Sequence, residues 1–220
     1  MNELLSHIAE CVEAGKINRS SPHPPELAGQ DGADEWTARA LAGGVPPTRV
    51  LHDGLIAGMA VVGLRFREGR VFLPEVLMSA KAMTAAMTHL QPFFTSGDIK
   101  PRGVVVLGTV KGDLHDIGKK IVSLFLQGGG WRVVDLGVDV TPEKFLAAIE
   151  THDPVAVGMS ALLTTTMLNM ERAVREIKAK HPNVSVLIGG APVTQSFAEK
   201  IGADAYAADP QKGLEYLNLL

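Results

Sequence analysis

Cysteine is almost absent from this 220-residue chain, where Cys11 stands alone. A single thiol excludes an internal disulfide and any thiolate-cage zinc site. Long hydrophobic runs are missing as well. Hydrophobic residues make up 46% of the chain and mean hydropathy is +0.14, yet charged side chains interrupt every apolar stretch before the ~18 residues a membrane span requires. No sign of charge dominates, since the net charge is −3. Without a basic surplus there is no counterion release to drive nucleic-acid binding, so neither nucleic acid nor membrane is an expected partner. The N-terminus, MNELLSHIAECVEAGK, has no basic region leading into an apolar core, and a cytoplasmic protein is the expectation. Aromatics are scarce at 5%. Their distribution is uneven, because four of the seven Phe residues, Phe66, Phe72, Phe93 and Phe94, fall within residues 66–94.

What is present divides into two patterns. Up to residue 92 the apolar spacing is helical and no strand is expected. Asn2 to Gly15 is amphipathic. Lys16 to Asp31 contains Pro22, Pro24, Pro25 and Gly29 and reads as a loop. Asp34 to Leu41 is a short helix stopped by Gly43-Gly44 and Pro46-Pro47. From Thr48, the residues Leu51, Leu55, Met59, Val62 and Phe66 recur at helical spacing as far as Gly69. Pro74 sits at a helix start, followed by the stripe Leu77, Ala80, Met83, Met87 and Leu90. The spacing predicts a four-helix bundle over residues 1–92. Residues 93–102, FFTSGDIKPR, read as a linker.

From Gly103 the pattern changes. Short apolar runs at 103–108, 131–135, 155–159, 184–188 and 203–206 alternate with helical stretches. Thr141-Pro142 reads as a helix N-cap followed by Pro at the first helical position. The runs are apolar throughout rather than alternating, which predicts a five-stranded parallel, doubly wound α/β sheet over residues 103–220. Such a sheet binds ligands beyond the carboxyl ends of its strands, near a switch point.

After the first strand comes Lys111-Gly-Asp113-Leu-His115-Asp116-Ile-Gly118-Lys119-Lys120. Five residues separate Gly112 from Gly118 and Lys120 stands where Ser or Thr would bind magnesium, so this is no phosphate-binding P-loop. A carboxylate two residues before a histidine can take the ring N–H opposite a metal and fix the tautomer. Taken alone, a DxH of this kind is most often a solvated loop, with Asp116 capping the next helix. Lys119 and Lys120 read as a solvated helix face beside that edge. Ser160-Ala-Leu162-Leu-Thr164-Thr-Thr166 follows the third strand and Gly189-Gly190 the fourth. Glycine there lets a bulky ligand approach the backbone, and Ser160 offers a small donor. A strand-to-helix turn explains the two glycines equally well. The remaining histidines, His7, His23, His52, His89, His152 and His181, show no second metal-ligand spacing, and Cys11 reads as inert.

Together these segments resemble the cobalamin-binding signature DxHxxG…SxL…GG. Both intervals match it, 41 residues between Gly118 and Ser160 and 26 between Leu162 and Gly189. The resemblance implies that His115 coordinates the cobalt of a cobalamin or related corrinoid from below, replacing the cofactor's own base. The displaced nucleotide tail would run beside Ser160, Leu162, Thr164, Gly189 and Gly190, and Gly112, Asp116, Ile117 and Gly118 would line the same site. In the related methionine synthase a hydroxyl residue extends the His–Asp pair, and its position falls here on Thr166. Asp113, His115 and Thr166 are therefore the expected reactive group.

The front segment resembles the helical cap of methyltransferase corrinoid proteins, through Asp53-Gly-Leu-Ile-Ala-Gly58-Met59, Phe72-Leu73-Pro74-Glu and Ala80-Lys-Ala-Met83. The likeness covers about residues 34–218, with the Lys16–Asp31 loop longer than is usual. It implies a carrier that completes no reaction alone. Cobalt(I) would take a methyl group from a substrate-specific methyltransferase, and methyl-cobalt(III) would pass it to a second one acting on tetrahydrofolate or coenzyme M. A reductive activase is a further implied partner. Met59, Phe66, Phe72, Leu73, Leu77 and Met83 are candidates for an apolar lid over the cofactor, with Phe72 and Leu73 favoured because they lie at a helix boundary. The linker would serve as its hinge. One alternative remains open, a cobalamin-dependent light or ligand sensor. The small subunit of an adenosylcobalamin mutase is disfavoured, because it needs no helical lid.

Overall fold

A computed structural model describes residues 2–220. The chain forms two compact units. One runs through Lys100 and includes Gly128–Gly130; the other takes Pro101–Gln127 and Trp131–Leu220.

The first unit is helical. Helix α1 (Asn2–Ala14) buries Leu5, Ile8, Cys11 and Val12, the one-face spacing of an amphipathic helix. Burial pushes the Cys11 thiol up to about 11, aided by neighbouring Glu10, which makes it the inert thiol expected. Helix α2 (Ala33–Ala42) follows the proline-rich loop. That loop is tied down: Lys16 Nζ is buried and donates to Ser21 O at 2.8 Å, and Asp31 pairs with Arg19 and Arg39. One turn of α3 (Pro47–Arg49) leads through a π-helical Val50–Ile56 into α4 (Ala57–Arg67). Gly54 and Gly58 face α1 so closely that an added Cβ would lie 2.9 Å from Ile8 Cγ2 and 2.6 Å from Ala9 O.

Helix α5 (Leu73–Ser96) departs from expectation at its end. Residues 93–96 are helix rather than linker, with Pro92 inside it. Phe93 and Phe94 pack against the helical core, and Gly97, at φ +85°, stops the helix. Ile99 N then donates to Phe93 O at 3.0 Å and its side chain is buried. The apolar burial outweighs an interior proline, whose cost is about 3 kcal/mol.

The second unit is a five-stranded parallel sheet in the order β2-β1-β3-β4-β5. The strands are β1 (Val104–Thr109), β2 (Arg132–Asp135), β3 (Ala156–Ser160), β4 (Ser185–Gly189) and β5 (Ala205–Ala207). Each begins one or two residues later than the sequence suggests. Alternate side chains serve opposite faces. Val106, Val157, Met159, Val186 and Ile188 pack with residues of α7 (Pro142–His152), α8 (Met167–Lys180) and α9 (Gln195–Ile201). Val105, Leu107, Ala156 and Leu187 pack with Leu126 of α6 (Ile117–Gly128) and with Leu214 and Leu217 of α10 (Pro210–Leu217). Both faces are thus covered, which explains why the strands read as unbroken apolar runs. Thr141 caps α7 by accepting from Lys144 N. Lys119 is not on a solvated face: it is buried and paired with Asp135 at the end of β2, whereas exposed Lys120 pairs with Asp116.

Candidate functional site

The strand order reverses between β1 and β3, so the crevice lies beyond their carboxyl ends. The chain leaves β1 in a tight turn, with Asp113 N donating to Val110 O at 3.1 Å. It leaves β3 through Leu162 and Leu163 into a short 3-10 turn, Thr164–Thr166. These two segments meet at one side chain.

Asp113 is fully buried, and its carboxylate accepts from both loops. Oδ1 takes the His115 amide at 3.0 Å and lies 2.8 Å from His115 Nδ1. Oδ2 takes the Leu162 amide at 2.7 Å, the Leu163 amide at 3.3 Å and the Thr166 hydroxyl at 2.9 Å. Burial alone would raise the pKa of this group. The Leu162 and His115 amides, the His115 ring and Thr166 overcome it and hold the carboxyl well below the usual carboxylate range. Asp113 is therefore ionised and only accepts, so the proton of the facing imidazole sits on Nδ1. The Nε2 lone pair is left for a metal. Nε2 has no partner among the described residues, and the His115 side chain is 53% exposed. Thr109, buried at the end of β1, donates its hydroxyl to His115 O at 2.9 Å and fixes the loop from beneath. The Thr166 hydroxyl also lies 2.8 Å from Leu163 O, so its one proton is shared between two acceptors.

The surroundings are apolar and open. Leu114 is 72% exposed, Ile117 67% and Leu162 42% on the same rim, with Leu163 beside them. Leucine and isoleucine left so bare around one polar group mark a surface meant to be covered. Gly118, in the first turn of α6, has ordinary helical backbone, and a Cβ added there would meet nothing within 4 Å. The protein itself does not require a glycine at that position. Gly190 differs: at φ +126°, its added Cβ would lie 1.9 Å from Ala161 O, so the crossing of two loops demands it. The Ser160 hydroxyl, at the end of β3, has no partner among the described residues and is free to meet a ligand.

Two family models match the chain, each described as a B12-binding domain, over residues 103–215 and 29–91. The chain belongs to the B12-binding family. Dimethylamine corrinoid protein 3 of Methanosarcina acetivorans is 43% identical over 172 residues, covering 77% of this chain and 81% of the relative. A chain in the methanol:cobalamin methyltransferase complex of Methanosarcina barkeri matches with a TM-score of 0.82 at 31% identity, covering 99% of this chain and 79% of that one. A cobalamin-binding protein of Desulfitobacterium hafniense matches with a TM-score of 0.76 at 26% identity, covering 99% and 97%.

The residues gathered here fit a corrinoid, the cofactor of this family. A macrocycle edged with methyl and amide groups suits an apolar rim around one exposed imidazole, and Gly118 leaves room where a side chain would stand. Asp113, His115, Leu162 and Thr166 meet in one hydrogen-bonded group, with Gly112, Asp116, Ile117 and Gly118 on the same loop. Thr164, Gly189 and Gly190 lie on the strand-end loops of β3 and β4. Phe72 and Leu73 belong to the helical unit, where Phe72 is 64% exposed at the start of α5. Met59 instead lies in the helical core, and packing within that unit accounts for it. Thr109, Leu114 and Leu163 were not evident from sequence, since nothing in a β-branched strand end or a leucine beside a motif separates them from core.

Proposed function

We propose that the protein carries a methyl group on a bound corrinoid between two methyltransferases, with His115 as the lower ligand of the cobalt. The observation that carries this reading is the exposed His115 Nε2, presented by an imidazole whose Nδ1 is held at 2.8 Å by a buried, ionised Asp113. The cofactor supplies a metal that can accept a methyl group as a nucleophile and release it as an electrophile. The chain supplies the rest. Asp113 orients the ring and keeps its proton on Nδ1. Thr166 and the Leu162 amide hold that carboxylate in place, and the exposed Leu114, Ile117 and Leu162 would shield the imidazole from water once covered by the cofactor. Phe72 and Leu73 are proposed as the helical unit's apolar contribution to cofactor binding.

Relatives named for dimethylamine and for methanol support a donor of that one-carbon kind, selected by the donor methyltransferase. The second methyltransferase would deliver the methyl group to tetrahydrofolate or coenzyme M, with a reductive activase restoring oxidised cobalt. The test is methyl transfer to the reconstituted protein from dimethylamine and methanol methyltransferases, followed by the cobalt absorption bands. Methylation by one of them is expected. Failure with every donor enzyme, combined with a change of oligomeric state on illumination, would replace the carrier with a sensor.

A further inference from the structure

The turn that delivers Asp113 and His115 is itself gripped by two side chains outside the group just described. Gly112 has φ +82°, and among the described non-glycine residues positive φ occurs only at Asp139 and Asp153, so Lys111 is not in the left-handed region. With Asp113 N bonded to Val110 O, residues 110–113 form a type II β-turn. The middle peptide of such a turn, here Lys111 C=O to Gly112 N–H, points outward and is its softest internal rotation. Both of its ends are taken. Asp139 Oδ1 accepts from Gly112 N at 2.7 Å, and Asn169 Nδ2 donates to Lys111 O at 2.8 Å. Asp139 also donates its own backbone N–H to Asp113 O at 3.0 Å.

These grips come from separate elements. Asp139 lies in the loop between β2 and α7, and Asn169 in the first turn of α8. Asp139 is held at φ +53°, a conformation that costs an L-residue energy and persists where the surroundings enforce it. A capped loop with this strain next to a metal ligand is better explained by alignment than by stability.

We propose that Asp139 and Asn169 are positioning residues for His115: they fix the Lys111–Gly112 peptide and so set how completely the imidazole engages a bound corrinoid. The proposal rests on His115 being the lower ligand. Asp113 receives five donors at set distances, so displacement of its Cα by rotation of the adjoining peptide would disturb the imidazole directly.

Three variants separate the grip from the fold. Asp139→Gly removes the acceptor while suiting the positive φ and keeping the backbone donor. Asp139→Asn keeps both an acceptor oxygen and tolerance of that φ, and Asn169→Asp replaces a donor with an acceptor. Two readouts apply: amide exchange of Gly112 in the cofactor-free protein, and the fraction of His-ligated cobalt in the visible and electron paramagnetic resonance spectra after cobalamin binding. Asp139→Gly and Asn169→Asp are expected to speed Gly112 exchange about tenfold, the loss of one charge-assisted or neutral hydrogen bond, and to lower the ligated fraction, with Asp139→Asn close to wild type. Wild-type exchange and ligation in both disruptive variants would overturn the proposal. If Asp139→Gly fails to fold, Asn169→Asp decides alone. His115→Ala is the control. Unchanged ligation in that variant defeats the lower-ligand reading itself, whereas loss there with no effect of Asp139→Gly or Asn169→Asp defeats only the clamp.

Discussion

Asp113 places a carboxylate with no exposed surface where five donors converge on it, and its ionisation ties the site to stability. Its folded pKa lies below the ordinary 3.8. The stabilisation is therefore complete above that value and is lost as pH falls below it toward the folded pKa. Asp113→Asn turns one acceptor into a donor facing amide hydrogens, and should cost about 2 kcal/mol or more at neutral pH. It should also flatten the acid limb below pH 3.8. Urea unfolding of wild type and variant at neutral and acid pH measures both. Gly118→Ala makes the opposite test. A glycine in a helix is less stable than alanine by about 0.5–1 kcal/mol, and a Cβ here touches nothing in the chain. The variant should unfold at slightly higher urea yet bind cobalamin more weakly by titration. Stronger or equal binding would mean that no ligand approaches Gly118.

At the scale of elements, the helical unit depends on glycines more than its apolar stripe suggests. Gly58 lies against Ala9 O and Val12 of α1, so Gly58→Ala should force α4 away from α1 and destabilise the unit by about 1–3 kcal/mol. Thermal unfolding of the variant checks this. Element types were legible in the sequence because periodicity changes from helical to unbroken apolar at Gly103. Boundaries were less so. Pro92 argues for a break, but Phe93 and Phe94 gain core partners that only the folded helix provides. Lys119 carries a charge that the sequence assigns to solvent, yet its side chain is buried and paired with Asp135, sixteen residues away at the exposed end of β2. The DxH segment and the β3 loop were readable through their joint spacing. Asp139 and Asn169 were not, since each acts on a backbone group of another loop and neither belongs to a recurring pattern. The same holds for Thr109, whose hydroxyl bonds a carbonyl six residues on.

At the scale of the whole molecule, a B12-binding α/β unit is preceded by a helical unit that a second B12-binding model also matches. No helix among the described residues is long and apolar enough to cross a membrane. Phe72→Ala tests the helical unit's proposed share in the site: affinity for cobalamin should fall with little change in unfolding, because the side chain is already exposed. The central claim is that a protein histidine, rather than the cofactor's own base, lies beneath the cobalt. Electron paramagnetic resonance of the cobalt(II) form reads that ligand through nitrogen coupling. Ordinary nitrogen, of spin one, splits each line into three; histidine labelled with spin-half nitrogen splits it into two. Protein made with labelled histidine and reconstituted with unlabelled cobalamin should give doublets, and His115→Ala should abolish them. Triplets that survive the labelling would contradict the account.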